Sequence, residues 1–97
     1  MEVVFSEKAQ TQLETILKYF CKRNYSTTYS ERLYDKILQK LSMIDHDVII
    51  GVATHRKNVY RLRVENYVIE YRLDPGSLEV LAIFDVRRNV RANRFGL

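Results

Sequence analysis

A chain of 97 residues, 46% hydrophobic and 29% charged, has the material for one small core. That composition excludes a disordered chain and leaves no room for a multidomain enzyme. Cys21 is the single cysteine, so neither a disulfide framework nor a cysteine-based zinc site can form within one chain.

The first residues, Met1 to Phe5, lack the basic-then-apolar layout of a secretory leader, and no apolar run approaches membrane-spanning length. A cytoplasmic location with no membrane partner is therefore expected. The net charge of +4 is unevenly placed: residues 1–54 hold seven Lys/Arg and seven Asp/Glu, residues 55–97 nine and five. The C-terminal half thus presents either an ordinary basic surface or a field for an anionic partner such as RNA, DNA or an acidic protein.

In chain order, Val3-Val4-Phe5 reads as a short strand ended by Ser6, a good helix N-cap. Ala9, Leu13, Ile16, Leu17 and Phe20 then recur at helical spacing, with Lys18, Lys22 and Arg23 toward the end that favours cations. Asn24 breaks the pattern. Thr28 and Glu31 have capping-box spacing, and Leu33, Ile37, Leu38, Leu41 and Ile44 form a second apolar stripe. Two such helices joined by a short polar link predict an antiparallel hairpin that needs a further apolar surface.

That surface follows. Tyr60, Leu62 and Val64 alternate with Val59, Arg61 and Arg63, Glu65-Asn66 is a two-residue turn, and Tyr67 to Leu73 returns. Asp74-Pro75-Gly76-Ser77 is a strong turn, and Leu78 to Val86 is an almost wholly apolar central strand. The prediction is an α+β fold: a short N-terminal strand and a two-helix antiparallel hairpin packed on a mainly antiparallel sheet, in the order β-α-α-β-β-β. One domain covers 1–97, with a basic tail at about 88–97.

Register then places side chains. The first hairpin sets Arg61 opposite Glu70 and Arg63 opposite Val68; the second sets Arg72 opposite Glu79, Val68 opposite Ile83 and Glu70 opposite Leu81. The expected helix-facing set is Tyr60, Leu62, Tyr67, Ile69, Tyr71, Val80, Ala82 and Phe84. The other face is expected to carry Arg61, Arg63, Asp85 and Arg87 around a patch of Val68, Leu81 and Ile83, which suits a partner surface.

Among candidate sites, Asp45-His46-Asp47 is a poor metal set, because neighbours in sequence rarely converge on one ion, so neither a metal nor another cofactor is expected. Cys21 reads as a half-buried structural thiol. His55-Arg56-Lys57 can hold phosphates or be a solvated loop. Arg61 and Arg63 share a face and suit bidentate phosphate recognition, or else Arg61 pairs with Glu70. Arg87, Arg88, Arg91 and Arg94 form a basic contact surface or a tail. No acid–base pair is evident beside the arginines.

These segments, from Val-Val-Phe-Ser through Val59-Tyr60-Arg61-Leu62-Arg63-Val64 and Tyr67-Val68-Ile69-Glu70-Tyr71-Arg72 to Ile83-Phe84-Asp85-Val86-Arg87-Arg88-Asn89, resemble the RelE/ParE superfamily of toxins from bacterial type II toxin–antitoxin systems. The resemblance implies a toxin neutralised by a cognate antitoxin, with Val68, Leu81 and Ile83 as the candidate antitoxin contact. ParE-like members inhibit DNA gyrase. RelE-like members are metal-independent nucleases that cleave mRNA on the ribosome, and Arg61, Arg63 and Arg88 match their catalytic positions. Arg56, Lys57, Arg87, Arg91 and Arg94 would then contact the target. Val68 stands where a catalytic arginine can occur, Asp85 where some members have histidine, and the tail offers Phe95 but no tyrosine. With two well-developed helices, these departures favour the ParE-like reading; a RelE-like nuclease and a non-toxic basic interaction domain are the alternatives.

Overall fold

The computed structural model describes residues 1–87. Strand β1 (Glu2–Phe5) leads into helix α1 (Glu7–Asn24), and α2 (Thr28–Ser42) returns beside it. Strands β2 (Val52–Ala53), β3 (Val59–Val64), β4 (Tyr67–Asp74) and β5 (Ser77–Asp85) follow. The five strands lie in the order β1-β5-β4-β3-β2, antiparallel except for the parallel β1–β5 pair. The expected α+β architecture is therefore present, with β2 as an addition. The middle position belongs to β4, with β5 lying between it and β1, rather than to the last strand.

Helix α1 begins as its sequence requires. Ser6 Oγ accepts from the Ala9 amide at 3.0 Å and satisfies one of the helix's otherwise unpaired N–H groups. The helix ends at Tyr25, whose left-handed φ of 51° turns the chain into α2. At α2 the expected cap is displaced by one residue. Thr27 is the N-cap, and its hydroxyl donates to Glu31 Oε1 at 3.0 Å without bonding a backbone amide.

Both helices bury their stripes against one face of the sheet. Ala9, Leu13, Leu33, Ile37, Leu41 and Ile44 pack with Leu62, Val64, Ile69, Tyr71, Leu78 and Val80. Between the helices, the Ser30 hydroxyl donates to Leu17 O at 2.7 Å and accepts from the half-buried Cys21 thiol at 3.3 Å.

The β3–β4 register is the predicted one, including Arg61 opposite Glu70, Arg63 opposite Val68 and Tyr60 opposite Tyr71. Arg72 also faces Glu79. Beyond that point the β4–β5 register shifts: Tyr71 pairs with Val80 but Glu70 with Ala82, so Leu81 is an extra residue in a β-bulge. A one-residue slip exchanges the two faces of everything that follows. Ile83 therefore faces the helices, opposite Ile69 and 1% exposed, while Ala82 and Phe84 turn to the outer face. Asp85 comes to lie opposite Tyr67, on the helix side. The expected placements of Ile83, Ala82, Phe84 and Asp85 are all corrected by this bulge.

Candidate target-binding face

The sheet face turned away from the helices gathers side chains from four strands. Alternation along β3 puts Val59, Arg61 and Arg63 there, and register adds Val52 from β2, Val68, Glu70 and Arg72 from β4, and Glu79 and Phe84 from β5. Arg61 lies at its centre. Its Nε donates to Glu70 Oε2 at 2.9 Å, and its guanidinium carbon sits 5.9 Å from the Phe84 ring centroid, within reach of the ring's electrostatic field. Arg56 Nη1 approaches the same carboxylate at 3.6 Å. With side-chain exposures of 25% for Arg61 and 13% for Glu70, this cluster holds one anion between two cations.

Arg63 differs. Its Nε donates to the Glu65 carbonyl at 2.8 Å, and among the described residues no carboxylate pairs with it. Both arginines line a cavity of about 410 Å³ together with Gly51 to His55, Leu62, Val68 and Val86. The cavity joins an apolar wall to a cationic rim. Arg72 lies further along the face, held by Asp74 at 3.0 Å and Glu79 at 2.6 Å. Its hydrogen bond to Asp74, reinforced by that carboxylate's charge, raises its pKa and keeps it charged at any ordinary pH.

Gly51 builds the other cavity wall. Its φ is +111°, and a Cβ there would stand 2.3 Å from Arg61 O, so only glycine brings β2 this close to β3. Tyr71 pins the preceding residue by donating its hydroxyl to Ile50 O at 2.5 Å. Burial pushes the Tyr71 pKa up to about 12 despite that bond, which holds the phenol neutral.

The predicted site residues are thus divided. Arg56, Arg61, Arg63 and Val68 converge on the outer face. Lys57 is exposed in the turn before β3, and Leu81 sits half-buried at the bulge. Ile83 is in the core and cannot be part of an outer patch. Arg87 belongs to the helix side: it pairs with Asp85 at 3.1 Å, which raises its pKa, and lines a groove of about 730 Å³ with Tyr19, Phe20, Arg23 and Tyr67. Arg88, Arg91 and Arg94 lie outside the described residues. Sequence reasoning missed Phe84 under Arg61 and Val52 beside it; glycine inside the apolar run Val48 to Ala53 was the available signal of a close backbone approach. Asp45 Oδ1 accepts from the Asp47 and Val48 amides at 2.8 Å each, closing a turn.

A two-helix hairpin on this sheet, with an arginine-centred outer face, fits a known family. The model of the ParE toxin of type II toxin–antitoxin systems (parDE) matches residues 3–90. The chain belongs to that family, and is a ParE-like toxin of a type II toxin–antitoxin system. Among solved structures it is similar to a chain of the chromosomal ParDE toxin–antitoxin system from P. aeruginosa, with a TM-score of 0.70 and 16% identity. That match covers 89% of this chain and 96% of the other. It is also similar to a chain of the RelB-RelE antitoxin-toxin complex from Methanococcus jannaschii, with a TM-score of 0.56 and 17% identity over 93% and 96% of the two chains. No curated protein sequence matches it significantly. Among the described residues no helix is long and apolar enough to cross a membrane.

Proposed function

We propose that this toxin acts in the cytoplasm by binding and inhibiting DNA gyrase, and that a cognate antitoxin neutralises it. The observation that carries the choice of target is the state of Arg61. A nuclease needs its central cation available to the scissile phosphate, whereas Arg61 is committed to Glu70 at 2.9 Å, with Arg56 on the same carboxylate. Val68, opposite Arg63, supplies an apolar side chain in place of a further cation. An outer face of this kind supports docking on a protein surface more than phosphodiester chemistry.

A ribosome-dependent mRNA endoribonuclease is the second reading, favoured by His55 lining the same cavity as Arg61 and Arg63. The two readings part in a reconstituted translation reaction in which mRNA 5′ ends are mapped with and without ribosomes. Inhibition by binding to gyrase predicts intact mRNA in both. Cuts that require ribosomes and vanish in Arg61→Ala and Arg63→Ala would replace the first reading by the second.

A further inference from the structure

We propose that the cavity lined by Arg61 and Arg63 is a binding site for a small free carboxylate with an apolar body, of the kind a medium-chain aliphatic acid provides. At about 410 Å³ it has the size of a small-molecule site. Val52, Ala53, Val68 and Val86 give it apolar surface, and among the described residues that line it none is acidic. A ligand that answers both features is apolar along most of its length and anionic at one end.

Arg63 selects the anion. Its Nε donates to the Glu65 carbonyl at 2.8 Å, which holds the guanidinium in place, and among the described residues no bond engages its two terminal nitrogens. The chain supplies no counter-ion for them: the Glu65 carboxylate is taken by Lys36, and that of Glu70 by Arg61 and Arg56. A pair of N–H groups on a planar guanidinium matches the two oxygens of a carboxylate. Beside apolar surface that contact is worth more than in open water. A phosphate, with three oxygens to satisfy, fits less well. The Thr54 hydroxyl is already occupied, accepting from the Arg56 amide at 3.1 Å and donating to Val59 O at 2.9 Å, and Arg61 Nε is given to Glu70.

The cavity is also formed in advance. Gly51 lets its backbone approach Arg61 O where any Cβ would collide, and the Tyr71 hydroxyl fixes Ile50. Little ordering is then left to oppose binding. The inference does not depend on gyrase being the target.

The test records backbone amide spectra of the full chain during titration with octanoate, with acetate, which lacks the apolar body, and with octylammonium, which reverses the charge. Octanoate is expected to saturate at about millimolar concentration, shifting the amides of residues 51–55 and of Val68. Acetate and octylammonium should bind at least roughly tenfold more weakly. Arg63→Gln should lose roughly tenfold in octanoate affinity; Arg63 is exposed, so this variant keeps the fold. Val68→Glu, which sets a carboxylate opposite Arg63, should weaken octanoate in the same way by supplying the missing counter-ion. No saturable shift with octanoate, shifts centred on the groove lined by Arg23 and Arg87, equal binding of acetate or octylammonium, or unchanged affinity in Arg63→Gln or Val68→Glu would each overturn the proposal.

Discussion

Tyr71 shows how much one side chain is asked to do. Its ring is fully buried in the core, it stacks with Tyr60 at 5.6 Å, and its hydroxyl holds Ile50. Tyr71→Phe keeps the packing and leaves the Ile50 carbonyl without its donor, so a loss of about 1–2 kcal/mol is expected in denaturant unfolding. The phenol also ties stability to pH. The unfolded chain ionises it near pH 10 and the native state only near 12. Its contribution is therefore complete below pH 10 and is lost between about 10 and 12, a slope that Tyr71→Phe removes. Gly51→Ala adds a Cβ against the Arg61 backbone at a φ hostile to L-residues; a loss of roughly 2–3 kcal/mol, with β2 detached, is the outcome to look for by thermal unfolding and amide exchange. At Tyr25, 96% exposed with φ 51°, substitution by glycine relieves backbone strain and should stabilise the chain by about 0.5–1 kcal/mol.

At the scale of elements, Ser6 couples the start of α1 to the bulge in β5. Its one hydroxyl accepts from Ala9 and donates to Leu81 O. Ser6→Ala thus removes a helix cap and a sheet contact together, and chemical denaturation should register about 1–2 kcal/mol. The bulge is also where legibility in the sequence ended. The two helices, the Glu65-Asn66 turn and the β3 alternation could be read because each combines periodic apolar residues with a specific stop. Leu78 to Val86 is apolar on nearly every position, so no alternation marks the point at which Leu81 slips the register. For the candidate site the consequence is direct: the alternation of β3 puts Arg61 and Arg63 on the outer face as expected, whereas the bulge moves Ile83 and Asp85 to the helix side and Phe84 to the outer face. Strand β2 was hidden for another reason, since two residues carry no period.

Over the whole molecule, helices and sheet divide the labour. The helical hairpin closes the core on one side, and the other side is left to arginines, a shared carboxylate and the cavity that Arg61 and Arg63 line. The excess positive charge of the C-terminal half would suit association with an acidic partner and steer that encounter, so the association rate should fall as salt rises. The proposed action on gyrase is binding by a ParE-like fold whose main outer cation is already paired. It is tested most directly by gyrase supercoiling of relaxed plasmid with the purified chain added in stoichiometric steps. Supercoiling is expected to stop. Unimpaired supercoiling by gyrase saturated with a chain that still arrests growth would contradict it.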